Sequence, residues 1–335
     1  MSVTPLFDVL VIGAGPAGLA TATGLARQLY HAVVFSDDSF RNAHSAYMHN
    51  FPGWDHQAPG AFRNKAKDDL SRYKTIQFED TSITLVEKTS EGGFRVTDAQ
   101  GRAWLGRKLV LAQGSEDQFL GIPGYTECWG KGIFHCLFCH GYEDRGLPSS
   151  GVLCVGPHAG SPAMALHLSR MARRLTEKVT LYTNADLELA EELKRLLETD
   201  RDARDARISV DERKIVGLSM ARDDQAGDEV GLVHDHDHGH VAITFEDGQS
   251  VTEGFIAHQP TARPRGPFAE QLGLELQASG DIMVKQPFYE TSIRGVFAAG
   301  DCATPIKAVP QAVAMGTVTA AGLAFQLGAE LAQVE

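Results

Sequence analysis

Residues 7–18 of this 335-residue chain read FDVLVIGAGPAG and carry the strongest fold signal in the sequence. The first half of this stretch predicts a buried β-strand, and its glycines follow at the spacing G-x-G-x-x-G before a helical segment that runs to about Leu29. Glycines at this spacing allow a tight turn and let a pyrophosphate approach the helix N-terminus. We therefore predict a dinucleotide-binding βαβ unit whose cofactor-binding residues include Gly13, Gly15, Pro16, Ala17 and Gly18.

An acidic residue follows the second strand of this unit, which we place at residues 32–35. Asp37 lies 19 residues beyond Gly18, near the distance at which a carboxylate binds a ribose hydroxyl. Ser36 is the alternative for that position, and we predict that both residues contact the cofactor. A chance glycine turn is the competing interpretation, but the preceding strand and the following helix argue against it.

The same pattern of strand, turn and helix occurs again in the middle of the chain. A strand at 151–155 leads through a turn at 156–160 into a helix at about 161–175, and a further strand covers 179–182. Because each repeat is typical of a nucleotide-binding unit, we expect two such domains. The length of the chain favours the same number.

The C-terminal segment is predicted to complete the first domain. A buried strand ending in Gly114 closes the first block, and the chain changes character again from about Thr261. We therefore predict an α/β protein with two Rossmann-like, three-layer ββα nucleotide-binding domains, the second inserted in the first. The predicted boundaries are 1–119 with 261–335 for the first domain and 120–260 for the inserted domain.

A second motif favours a flavin over a nicotinamide cofactor. The sequence predicts a terminal strand at 296–299 that delivers Gly300 and Asp301, whose carboxylate can bind the ribityl chain of FAD. The following helix includes Gln311 and Ala312 and can point its positive N-terminus at the flavin pyrimidine. The alternative is that Asp301 only caps a buried helix.

Two of the five cysteines form a Cys-x-x-Cys pair, Cys136 and Cys139. An odd number of cysteines argues against a structural disulfide framework, and this spacing is used for thiol–disulfide exchange. Zinc is the alternative, but the flanking His135 and His140 do not complete a four-ligand site, so we predict no metal centre. His140 is a candidate proton carrier that Glu143 could orient, or it is an ordinary surface histidine.

The other cysteines and a histidine-rich run carry weaker signals. Cys154 and Cys302 are expected to pack as small buried residues, and no role is assigned to Cys128. Histidine alternates with aspartate at residues 234–240, in a predicted loop. A flexible loop lacks fixed coordination geometry, so a functional metal site there is the less favoured interpretation.

Composition and charge exclude several classes of protein. A formal net charge of -12 argues against nucleic-acid binding, which depends on clustered lysine and arginine. Two uncharged stretches, 9–26 and 308–329, raise the question of a membrane span, but glycine, proline or glutamine interrupts both. No charged segment precedes the first apolar strand, so we expect a cytoplasmic protein with no membrane partner.

Together these residues resemble the low-molecular-weight thioredoxin reductases over nearly the whole chain. The resemblance is carried by the glycine motif, Asn50-Phe51-Pro52-Gly53, the cysteine pair and Gly300-Asp301-Cys302. It implies a homodimer that binds FAD, with Asn50 and Gly114 among the cofactor-binding residues. It also implies that the cysteine pair sits in the inserted domain, with Cys139 nearest the flavin and Cys136 exchanging with substrate.

Three departures from those reductases bear on the direction of electron flow. The second turn reads GPHAGSP at 156–162, where proline and histidine obstruct a phosphate cradle. The second strand of the repeat ends in YTNAD at 182–186, without the cationic side chains that bind the NADPH phosphate. The residue after the second cysteine is His140 rather than an acid.

The run CLFCHGYE at 136–143, with Arg41-Asn42 and WDHQ at 54–57, resembles the fungal dithiol oxidases of the gliotoxin type. Those enzymes close the transannular disulfide of epipolythiodioxopiperazine metabolites, passing electrons to O2 and releasing H2O2. The resemblance puts Arg41 and Asn42 at the cofactor, and Cys136, Cys139 and His140 at the catalytic centre. The expected partners are a small-molecule dithiol, O2 and a second copy of the chain.

Two other functions stay open on the sequence alone. An NADPH-dependent disulfide reductase of the thioredoxin reductase type would share the glycine motif and the cysteine pair. A non-catalytic protein that protects its host by sequestering a toxin would need no turnover at all. Flavin reduction by NADPH identifies the first alternative, and catalytic oxygen consumption excludes the second.

Overall fold

A computed structural model describes residues 5–198, 207–221 and 240–333, and contacts within the chain divide it into two units. Most of the histidine-rich run, residues 234–239, therefore lies outside the described residues. Unit 1 comprises Met1–Ala43, Phe51–Glu116 and Ala262–Glu335. Unit 2 comprises His44–Asn50 and Asp117–Thr261.

The described chain contains both strands and helices. The strands are β1 (Leu6–Ile12), β2 (Ala32–Ser36), β3 (Ile76–Asp80), β4 (Ile83–Lys88), β5 (Phe94–Asp98), β6 (Ala103–Leu111), β7 (Ser115–Asp117), β8 (Ile133–Phe134), β9 (Ser149–Leu153), β10 (Lys178–Tyr182), β11 (Ile208–Asp211), β12 (Ile215–Ala221), β13 (His240–Phe245), β14 (Ser250–Glu253), β15 (Ile256–Ala257), β16 (Ala262–Pro264) and β17 (Val296–Ala298). The α-helices are α1 (Pro16–Arg27), α2 (Pro59–Leu70), α3 (Tyr125–Cys128), α4 (Pro162–Ala172), α5 (Leu187–Leu197), α6 (Phe268–Leu272) and α7 (Val309–Leu331). Two 3-10 turns cover Arg41–His44 and Asp301–Ala303.

Unit 1 is built on a seven-stranded sheet in the order β3-β2-β1-β6-β5-β4, with β17 also paired to β6. The strands β3, β2, β1, β6 and β17 run parallel, and β4, β5 and β6 form an antiparallel meander. Strand β1 lies between β2 and β6, and its residues Val9, Leu10 and Val11 are fully buried. The continuous apolar run is therefore that of a central parallel strand, covered on both faces.

Helices α1 and α7 approach closely because small residues face each other. A Cβ on Gly24 would lie 2.4 Å from the Cβ of Ala320, and one on Gly316 would lie 2.1 Å from the carbonyl oxygen of Ala17. The hydroxyl of Thr21 donates a hydrogen bond to the carbonyl of Gly316 at 3.1 Å. The packing fixes the long C-terminal helix beside the glycine turn.

Helix α7 is also the one described helix that is long and apolar enough to cross a membrane. Its mean hydropathy over the most apolar window is 1.4, and half of that window is buried inside the protein. The burial against α1 accounts for the apolar sequence, since a core helix needs the same composition.

Unit 2 has three layers. Its five-stranded parallel sheet has the order β11-β10-β9-β15-β8, and a separate antiparallel sheet contains β12, β13 and β14. On β9, Val152 belongs to the core shared with α4 and α5, whereas the adjacent Leu153 belongs to the core shared with the antiparallel sheet. Successive side chains of a strand point to opposite faces, so helices cover one face and the small sheet covers the other.

The units differ from the predicted domain division at residues 44–50, 117–119 and 261, all of which belong to unit 2. Residues 44–50 fall within the predicted first domain by their position in the sequence, but they belong to unit 2 by their contacts. The reason is that side chains of this segment bind residues of the loop that carries the cysteine pair.

Candidate functional site

The glycine turn after β1 leaves no space for side chains at two of its positions. A Cβ on Gly13, whose φ is +110°, would lie 2.2 Å from the carbonyl oxygen of Ala112. A Cβ on Gly18 would lie 1.9 Å from the carbonyl oxygen of Gly13. At Gly15, in contrast, nothing in the described chain lies within 4 Å of that position. The turn is thus closed against β6 and open beside the helix N-terminus, where a phosphate would bind.

The helix that follows this turn has a free N-terminus. Gly15 is the N-cap of α1 and Pro16 follows it, and no side chain of the described residues caps the helix. The first N–H groups of a helix lack intrahelical partners and carry partial positive charge. They are therefore available to an anionic ligand.

Gln113 is a candidate cofactor residue that no sequence motif had indicated. It lies two residues beyond the end of β6, and both its Oε1 and Nε2 atoms are buried without a hydrogen-bond partner in the part of the chain that the structure describes. A buried amide with both ends unpaired is rare in a native protein and calls for a partner. Together with the open glycine turn, this amide fits a dinucleotide cofactor. The signal for Gln113 in the sequence was its position next to Gly114, which was predicted to bind the cofactor.

Ser36 and Asp37 lie at the carboxyl end of β2, and protein groups bind both. The carboxylate of Asp37 pairs with the guanidinium of Arg265 at 3.1 Å and accepts the N–H of Ser39. The hydroxyl of Ser36 accepts the N–H of Asp38 at 3.2 Å. A ribose hydroxyl at Asp37 would share the carboxylate with Arg265, so the predicted cofactor role of both residues remains a prediction.

Two residues predicted from opposite ends of the chain meet in unit 1. Arg41 Nη1 lies 3.5 Å from Asp301 Oδ2, and the side-chain oxygen of Asn42 accepts a hydrogen bond from Arg63. Gly300 has φ of +83°, and a Cβ there would lie 2.9 Å from that of Ala17. The structure thus brings the C-terminal motif against the start of α1.

The alternative role for Asp301 as the cap of the last helix does not fit the structure. Asp301 begins a separate 3-10 turn, and the N-cap of α7 is Ala308, with no side-chain cap from the described residues. Gln311 and Ala312 lie in the first turn of α7, as predicted. A second helix N-terminus is therefore available to a ligand of unit 1.

Gly114 and Asn50 are the remaining residues predicted to bind the cofactor. Gly114 follows Gln113 with φ of +74°, and its carbonyl accepts the N–H of Arg265. Asn50 is the last residue of the segment that belongs to unit 2. Its cofactor role stays a prediction.

The cysteine pair follows the edge strand β8. Cys136 and Cys139 form a disulfide, with their Cα atoms 5.3 Å apart. The N–H groups of Cys139 and His140 both donate to the carbonyl of Cys136 at 3.1 Å, so a tight turn holds the two sulfurs together. Phe138, between the cysteines, exposes 68% of its surface. The pair can accept electrons from a dithiol by thiol–disulfide exchange.

Phe134 and Ser45 both contact the imidazole of His140. Its ring stacks on the buried Phe134, with centroids 5.0 Å apart and an interplanar angle of 18°. Its Nε2 atom lies 3.2 Å from the hydroxyl of Ser45. The carboxylate of Glu143, which the sequence suggested as the partner of His140, pairs with His49 at 3.4 Å.

The second nucleotide-type turn differs from the first in how its helix begins. The Ser161 hydroxyl accepts the N–H of Met164 at the start of α4, so the protein caps this helix itself. Beyond β10, the side chain of Asn184 accepts the N–H of Ile215, and Asp186 caps α5 through the N–H of Leu189. Polar groups at the usual phosphate and ribose positions are thus committed to the fold.

The remaining three cysteines are all buried. Burial raises the pKa of the thiols of Cys154 and Cys302 to about 12, and burial is also the main cause of the raised pKa of Cys128. A high pKa suppresses the thiolate, which is the reactive form. These residues therefore act as packing groups at neutral pH, as expected for Cys154 and Cys302.

No group of three or more His, Cys, Asp or Glu residues within the described ranges could hold a metal ion. His135, one of the two histidines beside the cysteine pair, stacks on Trp129 with ring centroids 5.8 Å apart.

Comparisons with known proteins agree with this architecture. The pyridine nucleotide-disulphide oxidoreductase family matches residues 7–316. The thioredoxin reductase aclD of Aspergillus oryzae is 42% identical over 96% of this chain and 97% of its own length. The thioredoxin reductase tcpT of Claviceps purpurea is 43% identical over 99% and 97%, respectively.

Solved structures also match this chain over nearly its whole length. The crystal structure of HlmI matches with a TM-score of 0.82 and 29% identity, covering 100% of this chain and 97% of that one. An oxidoreductase from Agrobacterium tumefaciens matches with a TM-score of 0.80 and 30% identity, covering 96% and 99%. The predicted fold class and the predicted resemblance to thioredoxin reductase-like proteins are both confirmed.

Proposed function

The chain belongs to the pyridine nucleotide-disulphide oxidoreductase family, among its thioredoxin reductase-like members, and from this we propose that it is an FAD-dependent dithiol oxidase. The proposed substrate is a small natural-product dithiol of the epipolythiodioxopiperazine type, which leaves as an intramolecular disulfide. The electron acceptor is O2, and H2O2 is the second product.

The contrast between the two nucleotide-type turns carries the proposal. Helix α1 begins at Gly15 without a side-chain cap from the described residues, whereas the N-terminus of α4 is bound by Ser161. An anion at α4 would have to displace that cap, and the loop at 183–186 offers no lysine or arginine to compensate. These features support one working cofactor site, in unit 1, and a dithiol as the source of electrons.

The disulfide exchange needs two nucleophilic steps at the cysteine pair. A substrate thiolate attacks Sγ of Cys136, the bond to Cys139 breaks, and Cys139 leaves as a thiolate. The second substrate thiolate then attacks the mixed disulfide, which forms the substrate disulfide and releases Cys136. The substrate loses two electrons and two protons, and the cysteine pair gains them.

His140 has the chemistry required to handle these protons. An imidazole can take the proton of the attacking thiol and return it to a cysteine sulfur near neutral pH. In the proposal, Gly13, Gly15, Pro16, Ala17, Gly18, Gln113 and Asp301 are the main residues that hold FAD. Bound FAD would supply a two-electron relay that reoxidises the cysteine pair and delivers the electrons to O2, which takes up two protons.

The test is anaerobic mixing of the FAD-loaded protein with a reduced dithiodioxopiperazine, followed by the flavin absorbance. Bleaching of the flavin, then recovery with one H2O2 per disulfide when O2 is admitted, is the expected result. The Cys136→Ser and Cys139→Ser variants should lose this activity by at least about 100-fold, since no disulfide can form. Cys128→Ser is the matched control, because it makes the same atomic change at a buried cysteine outside the pair. Turnover that survives Cys136→Ser would refute the proposal.

A second candidate function is an NADPH-dependent disulfide reductase, favoured by the name thioredoxin reductase that the relatives carry. Stopped-flow mixing with NADPH separates the two functions. The oxidase should show no rapid flavin reduction at micromolar NADPH, whereas the reductase should show complete reduction. A protein that only sequesters the dithiol would stop at one equivalent of substrate per chain.

A further inference from the structure

Residues 44–50, called here the segment 44–50, pack on the loop that carries the cysteine pair. Met48 in this segment is buried, with 5% of its surface exposed. Near one end, the Cβ of His44 lies 3.2 Å from the position of a Cβ on Gly130. Near the other end, His49 pairs with Glu143 at 3.4 Å. The segment is therefore anchored to unit 2 on both sides of Ser45.

Ser45 is the residue of this segment that contacts the candidate proton carrier His140. Its hydroxyl lies 3.2 Å from Nε2 of His140, the residue that follows Cys139. The stacking of His140 on Phe134 fixes the plane of the imidazole. Stacking alone does not fix which ring nitrogen points in which direction, because a half turn about the terminal side-chain torsion exchanges the two edges of the ring. A hydrogen bond to one nitrogen removes that ambiguity, because only one of the two ring orientations places Nε2 at the Ser45 hydroxyl.

We propose that Ser45 is a positioning residue for His140: its hydroxyl binds Nε2 and so fixes the orientation in which the imidazole exchanges protons with the cysteine pair. The inference deepens the proposed function and rests on it, because it presumes that His140 carries protons during thiol–disulfide exchange. It assigns a part of the dithiol centre to a segment of the chain that lies 95 residues before His140.

The test measures reduction of the Cys136/Cys139 disulfide by dithiothreitol in the full-length FAD-loaded protein under anaerobic conditions. Each dithiothreitol gives two electrons and two protons to the pair and becomes a cyclic disulfide. Samples quenched with an alkylating agent report the number of free thiols by mass. Ser45→Ala should slow the reaction by about 2- to 10-fold, the range expected when one hydrogen bond is lost. Ser45→Thr keeps the hydroxyl and should restore most of the rate.

A double-mutant cycle separates positioning from a structural effect. In a His140→Gln background, Ser45→Ala should have no further effect on the rate, because the residue through which it acts is gone. Ser219→Ala, the same change at an exposed serine on β12, is the matched control and should leave the rate unchanged. A wild-type rate in Ser45→Ala, or the full slowing in the His140→Gln background, overturns the proposal.

The test of Ser45 is independent of the test of the oxidase function, because reduction of the disulfide by dithiothreitol needs neither the natural substrate nor O2. Coupling between Ser45 and His140, together with no oxygen turnover on a dithiodioxopiperazine, would uphold the positioning role and reject the oxidase. Oxygen turnover with no coupling would uphold the oxidase and reject the positioning role. A wild-type disulfide that dithiothreitol does not reduce would reject both.

Discussion

At the scale of single residues, buried polar groups without partners are the most informative feature of unit 1. The amide of Gln113 is buried with both ends unpaired among the residues that the structure describes. An unpaired buried amide destabilises the protein that carries it, and a ligand that pairs with it gains affinity for the same reason. The residue therefore links the stability of the ligand-free protein to cofactor binding.

We therefore predict that removing the Gln113 amide weakens FAD binding without destabilising the ligand-free protein. Gln113→Ala should weaken FAD binding by about 5- to 10-fold, the effect of losing one or two hydrogen bonds. It should leave the melting temperature of the ligand-free protein unchanged or higher, since an unpaired polar group is removed. FAD fluorescence titration and thermal unfolding measure the two effects, with the exposed Gln249→Ala as control. Unchanged FAD affinity in Gln113→Ala would show that the amide faces another group.

His258 in unit 2 makes the free energy of unfolding depend on pH. It is buried, its Nδ1 lies 2.6 Å from the hydroxyl of Tyr125, and its Nε2 lies 3.1 Å from the carbonyl of Val155. A carbonyl only accepts hydrogen bonds, so Nε2 carries the proton and Nδ1 accepts from Tyr125. Burial lowers the pKa of His258 from its usual 6.5 to about 4. The native protein therefore holds this imidazole neutral.

The consequence for stability follows from proton linkage. Between pH 6.5 and about 4 the unfolded chain binds a proton at His258 that the native chain does not, so the free energy of unfolding falls as the pH falls. The contribution is complete above pH 6.5, and about 3 kcal/mol is lost at the acid end of this window. His258→Gln should flatten the profile of unfolding free energy between pH 4.5 and 7 relative to the wild type. Parallel profiles in urea titrations of the two proteins would contradict this assignment.

At the scale of elements, the contact between α1 and α7 depends on glycine at one position. A Cβ on Gly316 would lie 2.1 Å from the backbone oxygen of Ala17, whereas a Cβ on Gly328 in the same helix would lie 3.7 Å from its nearest neighbour, the hydroxyl of Tyr30. Alanine favours the helical conformation over glycine by about 1 kcal/mol at both positions. The two substitutions therefore differ only in the contact that the new Cβ makes, which is a clash at Gly316 and an ordinary van der Waals contact at Gly328.

We predict opposite effects for these two variants. Gly316→Ala should destabilise unit 1 by about 2 kcal/mol or more, because α7 must move away from α1. It should also lower FAD retention, since the N-termini of both helices line the predicted cofactor site. Gly328→Ala should be neutral or stabilising by up to about 1 kcal/mol. Thermal unfolding and gel filtration with flavin absorbance test both, and equal melting temperatures would contradict the packing argument.

At the scale of the whole molecule, the assembly state remains a prediction from the resemblance to thioredoxin reductases. A homodimer should sediment with twice the 36.2 kDa of one chain at micromolar concentration. Exposed aromatic residues occur on the surface of unit 1, where Phe325 of α7 exposes 73% of its surface beside Phe288. Phe325→Glu should shift the equilibrium towards the monomer if this face lies in the interface. Sedimentation equilibrium measures it, and a wild-type mass of one chain would contradict the dimer.

Much of the fold followed from local sequence patterns. The order of strand, glycine turn and helix at residues 7–29 predicted β1 and α1, and its repetition at 151–182 predicted β9, α4 and β10. Both patterns work because strand and helix periodicities are set within a few residues. The helix ends were less well defined: the second helix was expected to run to about 175 and ends at Ala172. Local propensity changes little across the last turn of a helix.

Local sequence was enough to predict the two nucleotide-type folds, the Cys136/Cys139 pair and the turn in unit 2 that is less rich in glycine, because each depends on residues close together in the chain. The folded chain was needed to show that Arg265 binds Asp37, that Glu143 pairs with His49 and that Ser45 contacts His140. These contacts join residues between 94 and 228 positions apart. No local spacing encodes them, since they arise when strand order and packing bring distant loops to the same place.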